Sequence, residues 1–205
     1  MKAYNPLEKR NLAESVVNEL LEVPISPLEA LSSFEGAGVY VIYYTGDFEL
    51  YSHYKNDIEN GVFDKPIYVG KASPKGSRKG GDFDAAPGQA LYNRLKKHLA
   101  SLRYANNLDS HDFYFRYLVV DDIWVPLGEA LLISKYRPIW NVTIEGFGIN
   151  APGNGREAQK RSQWDTLHPG RPYAANLAPA ILSQEQILAN LAETDKSTQE
   201  NDLET

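Results

Sequence analysis

The sequence predicts an α+β domain, a small and mainly antiparallel three-stranded sheet flanked by helices. Three observations carry the prediction. The runs "GVYVIYY" at 38–44 and "PIYVGKAS" at 66–73 each set a tyrosine beside a glycine among strand-forming Val, Ile and Tyr. A third run of the same composition, "HDFYFRYLVV", lies at 111–120. Between and after these strands, leucines recur at helical spacing.

In chain order, Asn5 and Pro6 start a helix whose apolar stripe is Leu12, Val16, Val17 and Leu20, and Pro24 ends it. A short helix is expected after Pro27. The first strand follows, then a polar and aromatic insertion at 46–65, then the second strand. Residues 73–88, "SPKGSRKGGDFDAAPG", are rich in Gly, Ser, Pro and charge and read as a long loop. Compact domains rarely keep such a loop without a use, so ligand contact is expected there. Leu91, Leu95, Leu99 and Leu102 form the stripe of a helix from about Gln89 to Arg103, with Arg94 and His98 sharing another of its faces. After the third strand and the turn "DDIW", Pro126 suits the first turn of a helix that runs to about Tyr136 and stops before Pro138. The expected organisation is an N-terminal helical extension at 1–35, a core at 36–145 with insertions at 46–65 and 73–88, a C-terminal extension at 146–193, and a disordered tail at 194–205 that is poor in apolar residues.

The chain has 205 residues, 42% of them hydrophobic, enough for the core of one elaborated domain. Its apolar runs fall short of the roughly 20 residues that span a bilayer, and "MKAYNPLEKR" lacks the apolar segment of a signal peptide. A soluble cytoplasmic protein with no membrane partner is expected. The absence of cysteine excludes disulfides and thiolate zinc sites, so any metal would be held through oxygen or imidazole, which points to magnesium or manganese. The net charge of −6 is unevenly spread. From 71 to 103, Lys71, Lys75, Arg78, Lys79, Arg94, Lys96, Lys97 and Arg103 stand against only Asp82 and Asp84, while acidic residues gather toward both ends. That basic middle is a candidate phosphate-binding surface.

Candidates for chemistry are Tyr40, Tyr68, Lys71, Arg94, His98, Glu129 and Asn141, set on a strand, strand, helix, helix framework. Each alone has a plainer reading: a strand tyrosine is usually core, Arg94 and His98 can be a solvated helix face, and Glu129 a surface carboxylate. His53, His111 and His168 lack metal-ligand spacing and read as structural or DNA-contacting. Asp121 and Asp122 suit turn and helix-start roles better than metal ligation. "GFGINAPGNG" has no following amphipathic helix or βαβ unit, so its glycines are expected to let backbone approach DNA or make tight turns rather than hold a dinucleotide.

Taken together these residues resemble the GIY-YIG nuclease superfamily, with "GVY" and "YVG" as the two signatures, Arg94 and His98 on the next helix, Glu129 on the one after, and Asn141 in "PIWN". Val39 and Val69 replace isoleucines and keep the β-branched character. "GFG", "PGNGR", "SQWD" and "LHPGR" further resemble the C-terminal part of a small group of type II restriction endonucleases that cut the palindrome CCGCGG. The resemblance implies a GIY-YIG core and a double-stranded DNA substrate. It also implies Glu129 holding one Mg2+, with Mn2+ able to substitute, Arg94 on the scissile phosphate, and Tyr40 as base or water-positioning group in a network with Tyr68 and His98. A free phenol has a pKa of about 10, so nearby cations at Lys71, Arg94 and His98 together with the metal are expected to favour its ionised form.

Lys75, Arg78, Lys79, Arg156, Lys160 and Arg161 are the pool for DNA contacts, and Arg171 adds to the basic C-terminal segment. One set of site residues per chain, against two strands of a palindrome, leads to the expectation of a homodimer. The competing readings are a repair or homing nuclease of the same superfamily, for whose additional modules the chain has little room, and a non-catalytic DNA-binding protein, against which the full set of signature residues counts.

Overall fold

The computed structural model describes residues 8–73, 88–149 and 159–191. Asn5, Pro6, nearly all of the 73–88 loop and the tail from 194 lie outside the described residues. The sheet has four strands rather than three: β1 (Ser26–Pro27), β2 (Gly38–Tyr44), β3 (Pro66–Ala72) and β4 (Phe113–Val119), ordered β1-β4-β2-β3 with every pairing antiparallel. The additional strand is two residues long and contains a proline, which an edge position tolerates and which hides it from any alternation pattern.

β2 lies between β4 and β3 and is buried along its whole length. Successive side chains of a strand point to opposite faces. Val39, Val41 and Tyr43 accordingly join Val69 in one cluster with Val17 and Leu20 of α1 (Lys9–Glu22) and Val125 and Leu132 of α3 (Val125–Tyr136). Tyr40, Ile42 and Tyr44 join the second cluster with Leu91, Leu95, Leu99 and Leu102 of α2 (Ala90–Tyr104). Trp140 of α4 (Ile139–Val142), Trp164 and Leu167 of α5 (Gln163–Leu167), Phe147, Ile187 and Leu191 complete it. The sheet is thus the middle of three layers, and the chain after Asn141 builds the same core as the strands. Among the described residues no helix is long and apolar enough to cross a membrane.

Local signals set the ends of the helices. α1 stops at Glu22 because Val23 turns extended ahead of Pro24. α3 has Pro126 in its first turn and closes on Arg137 in the left-handed region, φ 42°, before Pro138. The short element after Pro27 is a 3-10 turn, Leu28–Ala30. The 46–65 insertion is tied in by Asn56, only 2% exposed, whose amide donates to the carbonyls of Tyr44, Tyr54 and Lys65 and accepts from the N–H groups of Asp64 and Lys65. A buried amide with its hydrogen bonds filled fixes a loop, where an unfilled one would destabilise it.

The edge of the sheet at β3 is covered by a side chain. Asn141 Oδ1 accepts from the Val69 N–H at 2.7 Å and its Nδ2 donates to the Val69 carbonyl at 2.8 Å, standing in for one residue of a further strand. On the opposite face, α3 approaches closely because Gly128 has no side chain: a Cβ there would lie 2.9 Å from Val16 Cγ1 and 3.3 Å from Val39 Cγ1. Gly128→Leu should therefore push α3 away from α1 and β2 and lower unfolding free energy by about 1–3 kcal/mol, overpacking outweighing the gain in helix propensity. Urea unfolding measures this directly, and a variant as stable as the parent would show that the contact yields.

Candidate active site

The antiparallel register sets Tyr40 directly opposite Gly70. A Cβ on Gly70 would fall 2.2 Å from Tyr40 Oη and 2.4 Å from its Cζ, so the phenol lies across β3 in space that only glycine leaves open. Here is the reason for a tyrosine on one strand and a glycine on the next. Tyr68, two residues back on the same face, has its ring centroid 6.2 Å from that of Tyr40.

α2 supplies the next two groups from one inward face. His98, 2% exposed, sets Nε2 at 2.6 Å from Tyr40 Oη. Arg94, one turn earlier and half-buried, hydrogen-bonds to the hydroxyls of Tyr40 and Tyr68 and donates from Nη2 to the Gly148 carbonyl at 2.6 Å. Phe147 stacks on the His98 ring with centroids 4.5 Å apart and planes at 20°, and meets Tyr68 edge-on. Lys71 points to the other face of β3, where its ammonium pairs with the Glu129 carboxylate of α3 at 2.6 Å. The structure thereby gathers Tyr40, Tyr68, Arg94 and His98 into one cluster, with the Lys71–Glu129 pair across the strand from it. Asn141 holds the β3 backbone between the two groups.

Burial governs the charges. His98 is held well below the usual imidazole range, first by burial and then by the charges of Arg94, Arg171 and Lys97, so it is neutral at physiological pH. Tyr40 is pushed well above the ordinary phenol value by burial and by Tyr68, with Arg94 opposing. The side-chain cations by themselves therefore do not favour a phenolate in this arrangement. His98 carries no charge, Lys71 is engaged by Glu129, and desolvation of a fully buried ring outweighs the one remaining guanidinium. A neutral His98 in its Nδ1–H tautomer would offer the Nε2 lone pair to the phenol proton instead.

The candidate DNA contacts divide. Lys75, Arg78, Lys79 and Arg156 lie outside the described residues. Lys160 is exposed and bridges to Ala178. Arg161 turns its Nε to the Ala174 carbonyl at 3.2 Å and its N–H to that of Ala178, which pins the chain locally. Arg171, from the same Arg-rich segment, is 3% exposed and salt-bridged to Asp165, because this guanidinium has carbonyl and carboxylate acceptors inside the protein. His168 is structural, buried between the Tyr51 hydroxyl and Asn107 Oδ1. His111 is exposed and pairs with Asp109. Asp121 and Asp122 are exposed in the turn before α3, where the Asp121 carbonyl accepts from the Trp124 N–H. Sequence reasoning did not identify Phe147 and Gly148 as parts of the site. The glycines of "GFG" read as approaching DNA or making turns, whereas Gly148 packs against Tyr68 of β3 and Arg94 of α2.

The two buried imidazoles predict the acid side of the stability profile. Burial takes His168 from its ordinary 6.5 down to about 3, and His98 also falls. A depressed folded-state value means that stability is fully present above about pH 6.5 and is lost as pH falls and the unfolded chain takes up protons first, at ~1.4 kcal/mol per pH unit for each imidazole. Urea midpoints measured from pH 7.5 to pH 5 should fall accordingly. His168→Gln, which can serve both Tyr51 and Asn107, should flatten the slope by about one proton; an unchanged slope would contradict the assignment of His168 as buried and neutral.

Residues 32–194 match the family model described as the Eco29kI GIY-YIG domain, a span that contains every residue of the cluster. No curated protein matches the chain. The match covers most of the sequence and falls on a framework in which Tyr40 and Tyr68 share one face of the β2–β3 pair beside Arg94 and His98, so the chain belongs to the Eco29kI family of GIY-YIG restriction endonucleases.

Proposed function

We propose that the protein is a type II restriction endonuclease that hydrolyses both strands of double-stranded DNA at a palindromic site, CCGCGG by resemblance, with the help of one divalent metal, Mg2+ or Mn2+. The observation that supports this reading best is the Tyr40–His98 hydrogen bond of 2.6 Å, set beside Arg94. In-line hydrolysis of a phosphodiester needs an oriented water, a destination for its proton, and positive charge on the developing phosphorane.

The chain's own groups meet these needs in turn. Tyr40 takes the water's proton as its own hydroxyl proton passes to Nε2 of neutral His98, so a free phenolate never has to form in the buried site. Tyr68 hydrogen-bonds within the same network and helps orient the water. Arg94 presents fixed donors to the phosphate oxygens as charge builds there. Asn141 keeps Tyr68 and Gly70 in place through the backbone of Val69 between them.

Glu129 supplies one carboxylate oxygen donor of the kind a hard cation prefers. Among the described residues no group of three or more His, Asp or Glu side chains could hold a metal. A magnesium ion bound by one carboxylate, with phosphate and water completing its shell, needs no more than Glu129 supplies. Such an ion would polarise the phosphate and support the leaving oxygen. Lys71, on the Glu129 carboxylate, balances its charge in the free protein.

Tyr40→Phe keeps the ring over Gly70 and removes only the hydroxyl. Single-turnover digestion of a duplex carrying the site should slow by about 10² or more, whereas a packing role alone predicts near-parental turnover. Glu129→Ala should abolish cleavage and leave binding to that duplex largely intact, since few phosphate contacts are lost. Cleavage within about tenfold of the parent would remove Glu129 as the metal ligand.

One centre per chain cuts one strand at a time, so a two-fold homodimer is the assembly proposed for a palindrome. Sedimentation with a cognate duplex should give two chains per DNA. A single chain making concerted double-strand breaks would overturn that part of the reading.

A further inference from the structure

Arg171 and Asp165 form a buried ion pair that the chemistry above does not use. Their side chains are each 2% exposed and meet at 2.6 Å through Arg171 Nε. The rest of the guanidinium faces the backbone of a four-residue loop. Nη2 donates to the Gly146 carbonyl at 3.0 Å, and Nη1 lies 3.3 Å from the Phe147 carbonyl and 3.5 Å from that of Ile149. The Trp164 ring lies beneath the guanidinium carbon at 4.5 Å. Asp165 is fixed in turn by Ser162, whose hydroxyl donates to Asp165 Oδ2 at 2.7 Å and accepts from the Asp165 N–H at 3.1 Å.

The loop so held is the one that touches α2 at the site. Its Phe147 ring stacks on His98, and its Gly148 carbonyl accepts from Arg94. A planar fork of donors suits this task, because one group can fix several carbonyls in a single plane. Partners around a reacting group set its orientation to within fractions of an ångström, and small misplacements cost large factors in rate.

We infer that Arg171 and Asp165 are positioning residues of the active site, a buried clamp that sets the Gly146–Ile149 loop and through it the orientation of Arg94 and His98 toward the scissile phosphate. The inference rests on the endonuclease reading of that centre. It gives the motifs "GFG", "SQWD" and "LHPGR" one shared task.

Arg171→Lys is the main test, because it keeps the charge beside Asp165 while one ammonium cannot span the three carbonyls. Duplex affinity without metal should stay within about threefold of the parent and the single-turnover cleavage rate should fall by about tenfold or more. The His98 imidazole resonances should shift while those of His53 and His111 stay in place. A clamp that only stabilises the fold predicts a lower melting temperature with unchanged rate and unchanged His98 resonances, and that result overturns the inference. Should the lysine variant fail to melt cooperatively, Arg171→Met combined with Asp165→Leu removes both charges together, which buried pairs tolerate far better than loss of one partner, and the same two readouts decide. If the parent protein cuts no duplex, the endonuclease reading fails, and the His98 resonances still decide whether the clamp sets that ring.

Discussion

The register of β2 against β3 is the constraint on which the rest of the molecule depends. With Tyr40 opposite Gly70 in an antiparallel pair, the side-chain period of two sends Tyr40, Tyr68, Ile42 and Tyr44 to one face and Val39, Val41, Val69 and Tyr43 to the other. A slip of one residue would exchange the two sets, burying the tyrosines against α1 and α3 and setting Tyr40 against a strand residue that has a side chain. Asn141 guards this register at the strand's free edge. It occupies the Val69 N–H and carbonyl that point away from β2, and so prevents the edge from pairing elsewhere.

From that register follows a division of labour between the two helical layers. The α1–α3 layer is almost wholly aliphatic where it meets the sheet, and its close approach at Gly128 carries the neighbouring Glu129 to the sheet's margin, where the carboxylate reaches Lys71. The layer of α2, α4 and α5 adds an aromatic group to the α2 leucines: Trp140, Trp164, Phe147 and His168 pack edge-on or tilted against one another, and His98 and Phe147 reach the strand tyrosines Tyr40 and Tyr68. Rings of this kind bury large apolar area while keeping polar tips available for hydrogen bonds. A proton-transfer network needs the same combination of a dry setting and a few polar atoms in fixed places.

Dryness also decides the protonation states. Inside such a layer the neutral forms of imidazole and phenol are favoured, and Arg94 carries the positive charge of the tyrosine cluster. A neutral histidine beside a neutral tyrosine is a donor–acceptor pair through which a proton can move without leaving a charge stranded in low dielectric. The Arg171–Asp165 pair obeys the same rule by a different route. Two charges taken out of water are tolerable because each finds its partner and both remaining guanidinium nitrogens face carbonyls.

The sequence by itself determined the strands, the main helices and the order of the site residues. Strand alternation, leucine stripes and proline stops are local signals, and β2, β3, α2 and α3 fall within a residue or so of where Tyr40, Leu91 and Pro138 place them. The pairing of "GVY" with "YVG", and Arg94 with His98 four residues apart, were legible because their spacing is short and their chemistry unusual. Only the tertiary structure decided which of two adjacent faces each charge would meet. Lys71 reads as part of a basic run but alternates away from Tyr68 onto Glu129, and Arg171 reads only as part of an Arg-rich segment but is buried on Asp165. β1 is too short to carry a pattern, and Phe147 and Gly148 reach α2 from more than forty residues away along the chain. Long-range partners of this kind are fixed by packing, where burial and the need to satisfy every buried polar group outweigh local preference, and no window of sequence contains both sides of the contact.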